Sequence, residues 1–356
     1  MKLKKIMALG LATVMTAGML VGCSSKPDKG TDEAASKDAG KVFKIGMVTD
    51  VGGVNDQSFN QSAWEGLEKL QEEIGKDKIE VKYKESKQAA DYAPNLDAFV
   101  DDEYDLIIGI GFLMTDDIKK AAKAYPEQEF ALVDGSYAEG NLPNVTTLGF
   151  EDNVSAYMTG LIAARMTETN KVGFIGGVPG EVIDRFEYGF RAGVKDGVKE
   201  GKPEAEVKIQ YANSFDDVAK GRAIASQMHS DGVDIIFTAA GAVGNGSIEV
   251  AKENNKKAIG VDKDQNILGP DHVITSAMKR VDSAVYNIGK NVVEGTYKGG
   301  QVVVNTLAME GVGIAPTSDK NVPPDVLKFV TEESEKIKSG DIKVPQNKEE
   351  FEAKYK

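Results

Sequence analysis

Short apolar runs alternate along this chain with segments in which apolar residues recur every three or four positions. The first run, Phe43 to Val48, leads into a polar and glycine-rich stretch at residues 49–53. After the polar cluster at 55–58, apolar side chains follow a helical spacing over residues 59–74. A strand, a glycine loop and a helix in this order are typical of the opening of a parallel α/β sheet. Ligands of such sheets bind at the carboxyl ends of the strands, so the loop at residues 50–60 is predicted to line a binding site.

The same alternation continues along the chain and restarts once, at residues 172–190, with a second strand, glycine loop and helix. Further strands are predicted at 79–83, 106–108, 130–133, 145–149, 172–175, 207–211, 233–237, 258–261, 273–278, 302–304 and 307–312. Helices are predicted at 92–100, 114–125, 153–168, from 181, and at 216–229, 243–254, 281–294 and 323–339. Two successive βα arrays predict an α/β protein with two doubly wound parallel-sheet lobes. The cleft between two such lobes is a preferred site for a small ligand.

The amino terminus has a different pattern. Residues 2–5 are mainly lysine, and residues 6–21 form an apolar run that is short for a bilayer span. This order predicts a secretory signal peptide over residues 1–22, with a single-pass anchor as the alternative. Cys23, the only cysteine, follows at once and resembles the cysteine of a bacterial lipobox, which implies cleavage before it and lipidation of its sulfur. An incidental cysteine in an ordinary signal peptide is the alternative.

Residues 23–41 carry almost no large apolar side chains, so they are predicted to form a flexible tether. The whole chain has a formal net charge of −13, and removal of the three lysines in residues 1–22 leaves −16. An acidic surface argues against a nucleic-acid partner and against electrostatic adhesion to anionic lipid. About 315 residues follow the tether, too many for one ordinary core, which again favours two lobes.

No motif of known chemistry is complete. Residues 109–111 begin a dinucleotide fingerprint that lacks its third glycine, and residues 262–266 begin a calcium loop that has Ile267 at the glycine position. His229 and His272 are the only histidines and stand far apart. We therefore predict no metal and no cofactor, and we expect that the protein is not an enzyme.

Polar side chains recur where the predicted strands end. They are Asp50, Asn55, Asn60, Asp134, Asp262 and Lys279. Any one of them alone is typical of a solvated loop. As a set facing one cleft they favour a hydroxylated ligand, because a carboxylate accepts hydrogen bonds from two adjacent hydroxyl groups at once.

Phe59 and Phe186 occupy equivalent places, each in the first turns of the helix that opens one array. Core packing explains either one alone, since each shares a helical stripe with other apolar residues. Their occurrence in both arrays favours a second interpretation, in which two aromatic faces from opposing lobes clamp a flat ring.

Four segments resemble the basic membrane protein family of bacterial lipoproteins. They are residues 50–60, 149–160, 176–180 and 260–265, and the likeness covers nearly everything from 43 to 340. Members of this family are substrate-binding proteins of ABC transporters with the periplasmic-binding-protein type I fold. Characterised members are similar to purine-nucleoside receptors, so the resemblance implies a nucleoside ligand such as guanosine, adenosine or inosine.

The resemblance also implies roles for single residues. Phe59 and Phe186 would stack on the base, while Asp50, Asn60 and Asp134 would bond the base or the ribose edge. Asp262 and Lys279 would hold ribose hydroxyl groups, with the backbone of Gly241 close by. Asn55 belongs to the predicted ligand loop without a more detailed role.

The family fold further implies three crossings between the lobes, near residues 150, 278 and 306. The expected N-terminal lobe is 42–150 with 279–305, the expected C-terminal lobe is 151–278 with 306–340, and residues 341–356 are expected to be a tail. The predicted protein is a monomer, held by lipid at the outer face of the cell membrane. It would deliver its nucleoside to the permease and ATPase subunits of an ABC transporter.

Three other functions stay open at this point. The same fold and side chains would suit a receptor for a sugar such as ribose or galactose. A signalling or regulatory lipoprotein without a transport role is a second alternative. A nucleoside hydrolase is a third, and it is disfavoured because the sequence shows neither a metal–carboxylate cluster nor an activated nucleophile.

Overall fold

Two β-sheets organise the chain. The structure is a computed structural model, and it describes residues 40–140, 142–201 and 203–355. The strands are β1 Phe43–Val48, β2 Ile79–Lys84, β3 Leu106–Ile110, β4 Glu129–Val133, β5 Val145–Phe150, β6 Lys171–Gly176, β7 Glu206–Tyr211, β8 Ile235–Ala239, β9 Lys257–Asp262, β10 Val273–Lys279, β11 Val302–Asn305 and β12 Val312–Ile314. The helices are α1 Phe59–Ile74, α2 Tyr92–Asp101, α3 Thr115–Ala124, α4 Asp152–Met166, α5 Glu181–Asp196, α6 Val218–Ser230, α7 Val243–Glu253, α8 Val281–Val293, α9 Pro324–Lys338 and α10 Lys348–Tyr355.

Each sheet has six strands, and the two orders correspond strand by strand. The first is β11-β5-β4-β3-β1-β2 and the second is β12-β10-β9-β8-β6-β7. The chain therefore crosses between the sheets three times, after β5, after β10 and after β11. This architecture confirms the predicted fold class of two α/β lobes, while the residue boundaries assigned to each lobe stay a prediction.

The pairing is parallel throughout the first sheet, and in the second only β12 differs, since it runs antiparallel to β10. The chain itself explains the reversal. Strand β11 ends at the carboxyl edge of the first sheet, and a short link leads directly to β12. The chain thus enters the second sheet from its carboxyl edge and must run backwards along β10.

The apolar runs are buried because helices cover both faces of the sheets. All five residues of β3 and of β8 are buried, as expected for central parallel strands. Helices α4 and α5 pack with their backbones in close approach. A side chain at Gly189 or Gly193 would collide with the carbonyl oxygen of Asn153 or Tyr157. Only glycine permits that approach, which fixes α5 and its cleft-facing first turns.

Most predicted elements lie within two residues of the observed ones, with two corrections. The strand predicted at 307–312 is wrong, because Leu307–Met309 form a 3-10 turn and β12 begins only at Val312. The region predicted as a tail contains α10, whose Phe351 packs on Tyr188 of α5 at 5.8 Å between ring centroids. Eight residues of mixed charge carry too weak a periodicity for that helix to be predicted.

Helix α1 carries the only tryptophan of the chain, Trp64. Its ring meets that of Tyr83 edge to face, with 4.8 Å between the centroids. The next residue, Glu65, forms an ion pair with Lys263 of the other lobe. Among the described residues, no helix combines the length and the apolar character that a membrane crossing requires.

Candidate functional site

A cavity lies between the carboxyl ends of the two sheets. Its wall includes eight of the nine predicted ligand-binding residues. They are Asp50, Phe59, Asn60, Asp134, Phe186, Gly241, Asp262 and Lys279. The ninth, Asn55, is exposed on the loop before α1 and is not part of the wall.

The carboxylate of Asp56 holds the part of the loop between β1 and α1 that leads into the helix. Its Oδ1 accepts hydrogen bonds from the backbone N–H groups of Ser58 at 2.9 Å and Gln61 at 3.1 Å. Its Oδ2 accepts from the backbone N–H of Asn60 at 2.8 Å and from the Asn60 side chain at 3.0 Å. Asp56 therefore caps the amino end of α1, where a negative charge is also favoured by the helix dipole.

Asp50 stands at the end of β1 and is attached to this cap through Asn60. The Asn60 amide donates to Asp50 Oδ1 at 2.7 Å, and the backbone N–H of Gly52 donates to the same oxygen at 2.8 Å. Burial raises the pKa of Asp50 to about 7, although these two hydrogen bonds act to lower it. Near neutral pH this carboxyl group can therefore donate or accept a hydrogen bond.

Asp134 and Asp262 form a matched pair at equivalent strand ends. Asp134 follows β4 and Asp262 ends β9, and both have left-handed backbones, with φ of 66° and 65°. Aspartate tolerates this conformation better than most residues, but it remains sparsely populated. Both carboxylates are buried in the cavity wall. Backbone strain repeated at two wall positions is typical of a functional site.

Lys279 is the buried cation of the site, with a side chain that is 1% exposed. Its Nζ lies 2.5 Å from Asp134 Oδ2 and 2.9 Å from Asp152 Oδ1. Burial alone would lower the pKa of Lys279, but Asp134, Asp152 and Asp262 hold that pKa above its ordinary value. Lys279 therefore stays charged and joins an aspartate of the first lobe to the base of α4.

Three aromatic rings surround the same ammonium group. Nζ of Lys279 lies 5.3 Å from the ring centroid of Phe59, 5.4 Å from that of Phe186 and 5.0 Å from that of Phe150. Each ring is close enough for a cation–π contact. The two predicted clamp residues thus converge on one point from opposite lobes.

Phe186 serves both the core and the cavity. Its side chain is buried and meets Phe237 edge to face, with 6.1 Å between the centroids. It also lines the cavity, as does the partly buried Phe59. The two interpretations of these phenylalanines therefore do not exclude each other, because one edge of the ring packs while another part borders the empty space.

The lobes are closed onto each other. Ser58 Oγ donates to Asp262 Oδ2 at 2.5 Å, the Asn245 amide donates to the carbonyl of Asp56 at 3.1 Å, and the Gln265 amide donates to the carbonyl of Gln57 at 2.9 Å. Burial raises the pKa of Asp262 to about 7, against the opposing effects of Lys279 and Ser58. These bonds join loops that are about 200 residues apart in sequence.

A family model described as the ABC transporter substrate-binding protein PnrA-like family, Bmp, matches residues 43–348. The chain belongs to the Bmp family. It is therefore a substrate-binding protein of ABC transporters, as the resemblance predicted.

Relatives of this Bmp family member match over almost their whole length. A CD4+ T-cell-stimulating antigen of Listeria innocua is 43% identical over 96% of this chain and 99% of its own length. The ABC transporter nucleoside-binding protein BmpA of Lactococcus lactis is 37% identical over 96% and 99% of the two chains. The crystal structure of an ABC transporter solute-binding protein from Aeropyrum pernix superposes with a TM-score of 0.79 at 29% identity, covering 87% of this chain and 96% of the other.

Several residues of the cavity wall were not predicted from the sequence of this Bmp family member. Phe112 follows β3 in the first lobe and Phe215 follows β7 in the second, and their rings meet edge to face with 6.0 Å between the centroids. Neither belongs to a segment with helical or strand spacing, and only their place after a predicted strand end could have indicated them. Among the described residues, no cluster of histidine, cysteine, aspartate and glutamate is arranged to hold a metal ion.

Proposed function

We propose that this protein captures a purine nucleoside between its two lobes and delivers it, unchanged, to an ABC permease. The observation that carries the proposal is the composition of the closed cavity. Phe59 of the first lobe and Phe186 of the second share its wall with Asp50, Asp262 and Lys279. A flat ring and a sugar with adjacent hydroxyl groups are the two parts of a ligand that such a wall would recognise.

The base would lie between Phe59 and Phe186, where aromatic stacking adds to the burial of apolar area. Asp50 and Asn60 would bond its polar edge. Asp262 and Lys279 would hold the ribose, the carboxylate as acceptor and the ammonium as donor. The relative from Lactococcus lactis that is named a nucleoside-binding protein supports this assignment.

The same proposal places the protein outside the cytoplasm, anchored by lipid on Cys23 as a monomer. The signal peptide over 1–22, Cys23 and the tether up to residue 39 lie outside the described residues. The relative from Borreliella burgdorferi that is named basic membrane protein A, 37% identical, is in keeping with a membrane location. Replacement of Cys23 by alanine should release the protein from the membrane fraction, and retention of that variant in the membrane would contradict lipid anchoring.

A ligand screen tests the central proposal. Protein purified without refolding is denatured, and any released small molecule is identified by mass spectrometry. Calorimetry then compares guanosine, adenosine, inosine, cytidine, free guanine, ribose and galactose. We expect binding of purine nucleosides, weaker binding of the free base and none of the sugars. Binding of a free sugar in preference to any nucleoside would favour the sugar receptor, and recovery of cleaved nucleoside would favour a hydrolase.

A further inference from the structure

Ser58 makes a contact that the assignment of ligand groups leaves unexplained. It is fully buried at the amino end of α1 and is not part of the cavity wall. Its hydroxyl group reaches across the cleft and donates to Asp262 Oδ2 at 2.5 Å. The two residues belong to opposite lobes, so this bond can exist only when the lobes are closed.

The position of Ser58 makes this contact unusual. Ser58 is the N-cap residue of α1, where a serine side chain ordinarily accepts a hydrogen bond from the first turn of its own helix. Here the side chain makes no such bond. Asp56 accepts the N–H groups of Ser58, Asn60 and Gln61 instead. The Ser58 hydroxyl is therefore not needed for the helix and is directed to the other lobe.

Two further bonds hold the same segments together. The Gln265 amide donates to the carbonyl of Gln57, and the Asn245 amide donates to the carbonyl of Asp56. These contacts fix the two residues before Ser58 against the second lobe. The Ser58–Asp262 bond thus lies within a docked surface and has a defined geometry.

We infer that Ser58 is a positioning residue that couples closure of the lobes to the orientation of the Asp262 carboxylate toward the ligand. The inference rests on the proposed nucleoside function. When the lobes close, Ser58 occupies one oxygen of Asp262, and the other oxygen is turned to the ribose hydroxyl groups.

The charges around Asp262 explain why closure needs this donor. Lys279 faces the carboxylate from β10, Asp56 faces it from the loop before α1, and Asp134 faces it from the end of β4. Burial and the two aspartates of the first lobe all disfavour its charged form. When the lobes close, Ser58 approaches Asp262 together with these two aspartates. Its hydrogen bond offsets part of the rise in the pKa of Asp262, so that the carboxylate can remain an acceptor in the closed cavity.

The test replaces Ser58 by alanine and measures nucleoside affinity by calorimetry across the pH range. Loss of a hydrogen bond to a charged group should weaken binding about ten-fold or more near pH 9, where Asp262 is ionised, and less near pH 5, where its carboxyl group is protonated. Ser58→Thr, which keeps the hydroxyl group, should restore the parental pH profile. Ser62→Ala is the matched control, because Ser62 is also buried on α1 but its hydroxyl accepts from the backbone of Asp282.

Each outcome decides the inference. Equal affinity in Ser58→Ala and the parent, or a loss that does not change with pH, would overturn it, since the latter indicates a packing defect. If the parent binds no nucleoside at all, the proposed function fails, and small-angle scattering of the ligand-free proteins then tests Ser58 by itself. A more open Ser58→Ala variant would support the closure role, and identical scattering would reject it.

Discussion

Replacement of Lys279 by methionine should open the lobes without unfolding either of them. Lys279 is the only described cation that contacts both Asp134 of the first lobe and Asp152 at the start of α4. Methionine keeps most of the volume of the side chain and removes its charge. Asp152 keeps a second partner, because Arg185 Nε lies 2.9 Å from its Oδ2. Asp134 loses its only ion pair among the described residues.

The magnitude follows from burial. The side chains of Asp134 and Lys279 are 5% and 1% exposed. Removal of one partner from a buried pair typically costs about 3–5 kcal/mol, because the other charge is left uncompensated in a medium of low polarity. Asp134 can regain water if the lobes separate, so this free energy disfavours closure more than folding. At 1.4 kcal/mol for each factor of ten, it corresponds to a shift of about 100-fold or more toward the open form.

Small-angle scattering of the ligand-free protein measures this shift through the radius of gyration. The variant should be more open than the parent near neutral pH and should close again in mild acid, because burial raises the pKa of Asp134 and protonation then removes the unpaired charge. Arg280→Met is the control, since Arg280 is the next residue and pairs with Asp282 at a partly exposed position. Equal radii of gyration for the parent and Lys279→Met near neutral pH would refute this account of the pair.

Three further predictions concern the wall of the cavity. Phe59→Ala should weaken guanosine or adenosine binding and leave the melting temperature nearly unchanged. Phe186→Ala should also lower the free energy of unfolding by about 3–5 kcal/mol, because its ring packs on Phe237. Unchanged calorimetric affinity in both variants would exclude the clamp. Asp262→Ala should weaken binding of guanosine more than that of free guanine, and equal losses would argue against a ribose contact. Asp50→Asn should raise the free energy of unfolding in urea above about pH 7 and not below about pH 4. The reason is that the raised pKa of Asp50 stabilises the parent at low pH, and this stabilisation is lost as the pH rises from 3.8 to about 7. A gain that is the same at both ends of this range would contradict that pKa.

The two strand–loop–helix segments that face the cleft could be predicted from the sequence better than the contacts between the lobes. Strand β1, the loop and α1 follow a clear switch from an apolar run to helical spacing, and the repeat at 172–190 identified Phe186 as the partner of Phe59. Both patterns are local, so they can be read from neighbouring residues. The polar residues at strand ends were identified by the same rule, because parallel strands bring their carboxyl ends to one edge.

The bonds between lobes could not be predicted in this way. Ser58 and Asp262 are 204 positions apart, and no local pattern indicates that they meet. The loop residues 55–58 also look alike in sequence. The structure shows that they make different contacts. Asp56 caps α1, Ser58 donates a hydrogen bond to Asp262 of the other lobe, and Asn55 faces solvent. Which residue takes which part depends on the closed arrangement of both lobes.

The position of Trp64 makes it an intrinsic fluorescent probe of this protein. Because the chain has one tryptophan, its fluorescence comes from a single place when only indole is excited. That place is beside Glu65, whose carboxylate meets the ammonium group of Lys263 at 2.5 Å across the lobes. Opening of the cleft would break the Glu65–Lys263 ion pair on the helix that carries Trp64. We therefore expect the tryptophan fluorescence of the unlabelled protein to change when ligand binding closes the cleft.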